Sequence, residues 1–556
     1  MNPLTADLQR ESAEVVNQVP PLTGYNLFLS DTTLTKAVER SGAGWALPQL
    51  SELGGLLGTE ELQRQGFEAN ENRPVLHTHD RYGARRDEVV FHPAWHSLMR
   101  TSIAHQVHSL PWLEKKAGAQ VARAALMMMT AQNEAGHTCP ISMTYAGIAA
   151  LKAEPGLAEQ WTPKILSSTY DPAFRPIEEK TGGLLGMGMT EKQGGSDVRS
   201  NTTRAERIGS SREYLITGHK WFCSAPMCDA FLILAQTAKG LTCFLLPRWQ
   251  PAGERNQFHI QRLKDKMGNR SNASSEVEFD RAWAHRVGEE GRGIHTIIEM
   301  VNHTRLDCAI AAAALMRQAG AQALHHARHR VAFGKPLIEQ PLMRNVLADL
   351  VIESQAATLL MVRLAQSFDA RSADPIERPF ARVATAIAKY WLCKRAPMQV
   401  GEALECLGGN GYVEESILPR LYREAPLYSI WEGSGNVICL DILRAFAKEP
   451  GSVEAVMHEM IKVAGNDKRV DALIANIEAD LGQAKSGRFP EAQARRLAER
   501  LALALQASLV IRHAEPSVAE AFLASRLDHD YGHAFGTLPV ADLDAILRQE
   551  QGHGQA

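Results

Sequence analysis

The sequence contains no C-x-x-C pair. Its eight cysteines, at 139, 223, 228, 243, 308, 393, 406 and 439, lack the spacing of zinc ribbons and redox dithiols, so no metal is expected and free thiols in a reducing compartment are. No uninterrupted apolar run reaches the roughly 18 residues that cross a bilayer, and the opening MNPLTADLQRESAEVVNQVP lacks a signal-peptide core. A cytoplasmic location without membrane contact is expected. There is also no G-x-G-x-x-G after a strand and no G-x-x-x-x-G-K-[ST], so any nucleotide cofactor must be held by other means. Charge is balanced too, with 60 Lys+Arg against 63 Asp+Glu and a net charge of -3. Total charge therefore gives no long-range attraction to nucleic acid, and such binding would need a local basic patch. What remains is an ordinary globular composition, 45% hydrophobic and 22% charged over 556 residues, enough for about three to four domains of roughly 150 residues.

Along the chain the periodicity changes twice. Residues 1–45 read as an extended or short-helical arm, and 46–180 as a helical domain in which Val121–Ala135 and Ile141–Lys152 carry apolar residues at three- and four-residue spacing. Met127, Met128 and Met129 fit core packing better than a ligand groove. From 181 to 290 the period is two: Glu213–Gly218, Ala230–Ala235, Leu241–Pro247 and Ser275–Phe279 read as short strands between turn residues. Helical spacing returns over 291–445 and continues through a C-terminal helical domain, 446–556, whose clearest stretch is Glu491–His513. The fold class is mostly α, α+β, with a barrel-like β-domain between helical ones. Alternating βα units are absent, which argues against a Rossmann domain.

Four segments carry the chemistry. Gly186–Thr203 combines paired glycines with the hydroxyls of Thr190 and Ser196, a composition that lets backbone N–H groups approach a flat polar ring or a phosphate. Gly218–Ser224 places an aromatic pair and a hydroxyl at a strand end. Glu405–Tyr412 closes a helix with glycines. Arg423–Asn436 holds Glu432 behind Trp431 and ahead of Gly-Ser-Gly. A carboxylate desolvated beside an aromatic has a raised pKa, as a base for a weak carbon acid requires; the plainer reading is that Glu432 caps the helix that follows.

In this order and at this spacing, around a β-domain, the four segments resemble the acyl-CoA dehydrogenase flavoprotein family over about residues 50–445. Phe91–His96, Met187–Val198, Arg262–Ser274 and Ser429–Asn436, with the extra C-terminal segment, are most similar to the branch of that family tied to the bacterial adaptive response to DNA alkylation. The resemblance implies noncovalent FAD, with Met187, Met189, Thr190, Gly195 and Ser196 at the flavin ring and ribityl chain and Phe222, Cys223 and Ser224 closing one face. It implies that a neighbouring subunit completes the adenine diphosphate half through Arg330, Phe333 and Gln340, the last standing one residue ahead of the family's glutamine place, which Pro341 occupies. Glu405, where the family has glutamine, with Gly408 and Gly409, would approach the pyrophosphate; Ile430, Trp431, Ser434 and Asn436 flank the base and the ADP. Glu432 falls at the catalytic-base position, and a homotetramer is implied because the cofactor site is shared. The implied reaction is removal of the α-proton of an acyl thioester by Glu432 with hydride transfer to FAD, an electron-transfer flavoprotein being a candidate acceptor.

The same branch implies non-specific binding of double-stranded DNA through the C-terminal domain. From Asp441 to Ala556 there are 13 Lys+Arg and 17 Asp+Glu, so only local groups could attract phosphates: Lys485, Arg488, Arg495, Arg496 and Arg500, with Arg444 and Lys448 at the domain entry. The plain alternative is a solvated helix face with an Arg495/Glu499 pair. The rival function is a metabolic acyl-CoA dehydrogenase of branched or short chains without DNA binding; a flavin-bound scaffold is the third.

Overall fold

The structure, a computed structural model, describes residues 16–528, 532–539 and 541–550. Its core is a bundle organised around the helix Gly293–His329, whose stretch from Ala309 to Met316 is fully buried. Alanines at the centre of this helix let the helices Pro341–Ala370, Glu377–Cys406, Thr138–Leu151 and Ala119–Asn133 pack closely on it. Pro341–Ala370 is long and apolar enough to cross a membrane, but 89% of its most apolar window is buried inside the bundle; its apolar surface is core. Across the bundle Arg123 donates to Asp307, lies over the Tyr145 ring at 3.7 Å and gives its Nε to Val107 O at 2.9 Å.

The arm is more ordered than its composition suggests. From residue 16 onward it packs Leu22, Leu27 and Phe28 into the core and forms a helix, Thr32–Arg40, capped by Asp31 accepting from Leu34 N; residues 1–15 lie outside the described ones. The segment 46–180 is not wholly helical either. Val75–His79 (β1) and Arg85–Val90 (β2) form an antiparallel hairpin in which Leu76 pairs with Val89 against the core, the surrounding polar residues hiding the alternation that announces a strand.

The β-domain comprises β3 (Leu185–Gly188), β4 (Arg204–Arg207), β5 (Glu213–Ser224), β6 (Ala230–Thr237), β7 (Gly240–Pro247), β8 (Phe258–Leu263) and β9 (Ser274–Val287). The order is β3-β6-β4-β5-β9-β7, with β8 on β9 and a β6–β7 hairpin that closes the sheet on itself. Along β5 the buried positions are first Tyr214, Ile216 and Lys220, then Cys223. A register shift between Lys220 and Cys223 inverts the phase, so Phe222 and Ser224 turn out of the barrel.

Beyond the bundle come Gly435–Lys448, Ser452–Met460, Lys468–Lys485, Ala494–His513 and Pro516–Arg526. The C-terminal domain is no loose appendage: Ala494–His513 packs on Pro341–Ala370, Glu377–Cys406 and Gly435–Lys448, and Trp391 Nε1 donates to Gln506 Oε1 at 2.9 Å. All eight cysteines are buried and unpaired.

Candidate active site

Glu432 sits between the short turn Ala425–Ser429 and the helix Gly435–Lys448 with φ +58°, a left-handed conformation that a non-glycine residue adopts only when its surroundings impose it. Here they do. Thr304 Oγ1 donates to Glu432 Oε2 at 2.7 Å, Arg305 Nε donates to the Glu432 carbonyl at 3.0 Å, and Lys389 donates to the carbonyl of Gly433. Arg305 is itself fixed by Asp441 at 2.8 Å, which also takes Arg382 at 2.9 Å. The capping alternative does not hold: the following helix has Ser434 as its N-cap, and the Glu432 carboxylate is engaged with Thr304. Burial pushes the Glu432 pKa up, against the Thr304 hydrogen bond and the charges of Arg305 and Lys389. Such a group is a stronger base than a solvated carboxylate and is held in one orientation.

The glycine-hydroxyl loop runs beside β5, Trp221 N donating to Thr190 O at 2.9 Å. The loop after β3 is pinned from beneath by a fully buried pair, Glu191 and Lys220 at 2.8 Å. Glu191 also accepts from Thr202 N at 2.7 Å, Thr203 N at 3.2 Å and the Gln193 amide at 2.8 Å. Burial works against this carboxylate's charge, but Lys220 and the hydrogen bonds hold it at about 2. Gly195 lies so close to Thr190 that a Cβ there would stand 2.3 Å from Thr190 Oγ1, which explains a glycine at that point. Met187 and Met189 are half-buried, Ser196 is exposed, and Ser224 Oγ pairs with Ser274 Oγ at 3.0 Å. Cys139 stands between these two walls, its thiol in hydrogen-bonding reach of Ser224 and in electrostatic reach of Glu432. Cys223 corrects the sequence reading: its side chain points into the barrel, fully buried, with its thiol pushed up to about 12 by burial, so it presents no side chain to the outer face.

The remaining residues assigned to the cofactor gather elsewhere on the chain. Val331–Ala332 (β10) and Lys335–Pro336 (β11) form a two-residue hairpin whose turn, Phe333-Gly334, has φ +52° and +81° and leaves Phe333 97% exposed. Arg330 and Val331 bond Asn17, and Asn410 Nδ2 donates to Gln18 Oε1 at 3.3 Å, so the arm ties this hairpin to the Gly408–Gly409 turn. Gln340 closes its own hairpin by donating to Ala332 O at 3.0 Å. Glu405 is exposed to solvent.

The basic series is largely engaged. Lys485 pairs with Glu454, Arg500 with Asp480 at 2.7 Å, and Arg444 with Asp441 at 3.4 Å; Arg488 donates to Ser486 Oγ at 2.9 Å. Arg495 does not pair with Glu499; its Nε donates to Asn436 Oδ1 at 2.8 Å, four residues from the base. Arg496 and Lys448 are exposed. A cavity of about 400 Å³ opens at the start of Gly293–His329, lined by Arg199, Gln236, Arg292 and His295, and sequence reasoning did not find it. Nor did it find Thr304, Arg305 or Lys389, which sit inside long helices without any local motif. Among the described residues no group of three or more His, Cys, Asp or Glu side chains is placed to hold a metal.

Three family profiles match in succession: the adaptive response protein AidB N-terminal domain over residues 17–172, the acyl-CoA dehydrogenase middle domain over 186–282 and the acyl-CoA dehydrogenase C-terminal domain over 291–447. The chain is 47% identical to AidB of Escherichia coli (strain K12), over 92% of this chain and 94% of that protein. The chain is an AidB-type member of the acyl-CoA dehydrogenase family. It is also 30% identical to acyl-CoA dehydrogenase family member 11 of Caenorhabditis elegans, over 79% of this chain and 73% of that one. The crystal structure of Caenorhabditis elegans ACDH-11 in complex with C11-CoA superposes with a TM-score of 0.82, at 26% identity, covering 98% of this chain and 94% of that one. A glutaryl-CoA dehydrogenase from Mycobacterium smegmatis in complex with FADH2 shares the fold, with a TM-score of 0.59 at 18% identity, over 76% of this chain and 98% of that one.

Membership makes the chain an FAD-dependent acyl-CoA dehydrogenase-like oxidoreductase, and the residues present fit a flat aromatic cofactor. Phe222 is 50% and Ile430 63% exposed, large apolar surfaces left uncovered on the two walls that Cys139 connects. Met187, Thr190 and Ser224 would hold the ring and its side chain.

Proposed function

We propose that this protein dehydrogenates an acyl-CoA, Glu432 serving as the base. The observation that carries the proposal is the half-buried Glu432 carboxyl, raised in pKa, oriented by Thr304 and linked through Cys139 to Ser224 at the end of β5. FAD, when bound, supplies the hydride acceptor. Glu432 takes the α-proton, its backbone N–H and the fixed loop offer a donor to the thioester carbonyl, and the walls exclude water from the developing enolate. The cationic cavity suits the nucleotide end of CoA. Thr304 lies eleven residues along the helix from Gly293, about 16 Å of rise, the scale of a pantetheine arm; the C11-CoA complex of the nematode relative supports the same substrate class. The test is Glu432→Gln. FAD should stay bound in the variant, and no acyl-CoA that bleaches the wild-type flavin should bleach it; bleaching at the wild-type rate refutes the assignment.

The 47% identity to AidB supports a second level of the reading: the protein acts in the cytoplasmic response to DNA alkylation, as a homotetramer that binds duplex DNA without reading sequence. The exposed Phe333 hairpin suits a neighbouring subunit, and four copies would multiply the few unpaired cations, Arg496 and Lys448 among them. With so many of the basic side chains held by carboxylates, retention of duplex DNA should be weak and fall steeply with salt. Retention that ignores salt, or survives Arg496→Ala with Lys448→Ala unchanged, argues against this surface.

A further inference from the structure

The turn that carries Glu432 stands beside a set of buried polar groups that the protein leaves without partners. Tyr428 Oη and Glu424 Oε2, on side chains 2% exposed, Asn269 Nδ2 and Asn272 Oδ1, on side chains 1% exposed, and Trp431 Nε1 all make no hydrogen bond. They form one cluster. The Tyr428 and Trp431 rings meet edge to face at 5.5 Å, Asn269 N donates to the other oxygen of Glu424 at 2.6 Å, and Asn272 Nδ2 donates to Asn269 Oδ1 at 3.0 Å. Cys139 lies within electrostatic reach of Glu432 and of Tyr428, and borders Asn272. The adjoining carboxylate offers nothing, because Glu134 is saturated by Gly136 N, by His137 N and Nδ1, and by Ser271 Oγ, all at 2.8–2.9 Å.

Folded proteins pair nearly all their buried polar atoms. Several adjoining exceptions next to a candidate catalytic carboxylate point to a ligand that brings the missing partners. We infer that the acyl group this enzyme takes carries a hydrogen-bonding substituent, a hydroxyl or carboxamide near the reacting carbons, received by Tyr428 Oη, Trp431 Nε1 and the Glu424 carboxyl. An unbranched alkyl tail would seal those atoms away from water unpaired, weakening binding about tenfold or more for each. Burial, and after it the charge of Glu134, pushes the Glu424 pKa up to about 7, so this carboxyl can donate as well as accept. Tyr428, Trp431 and Glu424 are specificity-determining residues on this view.

This inference rests on the acyl-CoA reading above, and its test separates the two. The FAD-loaded protein is titrated anaerobically with length-matched pairs, butyryl-CoA against 4-hydroxybutyryl-CoA and pentanoyl-CoA against 5-hydroxypentanoyl-CoA, with the flavin absorbance reporting binding. In at least one pair the hydroxylated member should bind about tenfold tighter, and Tyr428→Phe or Trp431→Phe should reduce that ratio severalfold. FAD content and thermal midpoint of each variant show that it is folded; Trp431→Phe and Tyr428→Phe are independent probes of the same cluster. Plain chains binding as tightly as hydroxylated ones overturn the inference and leave the acyl-CoA reading standing, as does a ratio that neither variant moves. If no member of either pair perturbs the flavin, the acyl-CoA reading itself fails and takes the inference with it.

Discussion

Replacing Thr304 by valine isolates one contribution to the base. Valine keeps the β-branched shape in the middle of Gly293–His329 but removes the hydroxyl that donates to Glu432 Oε2 at 2.7 Å. A hydrogen bond to an ionised acceptor contributes about 1.5–3 kcal/mol, and a pKa unit corresponds to about 1.4 kcal/mol. Loss of the bond should raise the Glu432 pKa by about one to two units, beyond the rise that burial already imposes. Salt does little to blunt the effect, because the bond is a direct contact at a half-buried carboxyl.

The sign follows from the role. Only ionised Glu432 accepts a proton, so flavin reduction climbs with pH through its pKa, and Thr304→Val displaces that limb upward. Below the limb the rate falls about ten- to a hundredfold at fixed pH; on the plateau the more basic carboxylate is at least as fast. Anaerobic stopped-flow at the flavin absorbance, with an acyl-CoA that bleaches the wild type, measures both. Thr385→Val serves as control, since that hydroxyl bonds only Ala381 O of its own helix at 2.6 Å. A limb that stays in place or moves to lower pH refutes the geometry described for the base.

Three further outcomes are expected. Glu424, raised to about 7 from an ordinary value of 4.5, holds its proton better in the folded state, so its contribution to stability is complete below about pH 4.5 and is lost as pH rises through 7; Glu424→Gln should flatten that decline, worth about 3 kcal/mol, in denaturation midpoints measured at pH 5 and pH 8. Asp307→Ala strands the fully buried Arg123 guanidinium and should cost about 3–5 kcal/mol in denaturant unfolding, whereas a loss below about 1 kcal/mol would mean that the pair is hydrated. Phe333→Ser removes a 97% exposed ring from a hairpin tip and should lower the oligomeric mass in sedimentation without altering the fold by circular dichroism.

What the sequence shows of this protein is what short-range chemistry writes into it. Helical periodicity, the strands with apolar alternation, the glycine-hydroxyl loop after β3 and the Trp-Glu-Gly-Ser-Gly run are all local, and their order was sufficient to reach the family. The hairpin β1–β2 escaped because its inward apolar pair, Leu76 and Val89, stands among His77, His79, Arg85 and Glu88, so only pairing across the turn makes it a strand pair. Cys223 was placed on the wrong side for a subtler reason. Strict alternation along β5 would put Phe222 and Ser224 inside with Tyr214 and Ile216, and naming all three residues from 222 to 224 left the phase open; the register shift after Lys220 settles it by turning Phe222 and Ser224 outward. Thr304, Arg305 and Lys389 lie 128, 127 and 44 positions before the residues they hold, inside helices whose other residues are largely core, and no spacing rule connects such positions. Charge counting failed in the same way at Arg495, which belongs by sequence to a basic cluster and by geometry to the Glu432 loop through Asn436. The residues that tune the base are therefore the ones a linear reading counts as helix interior or surface charge, because their function is defined by what the fold sets opposite them.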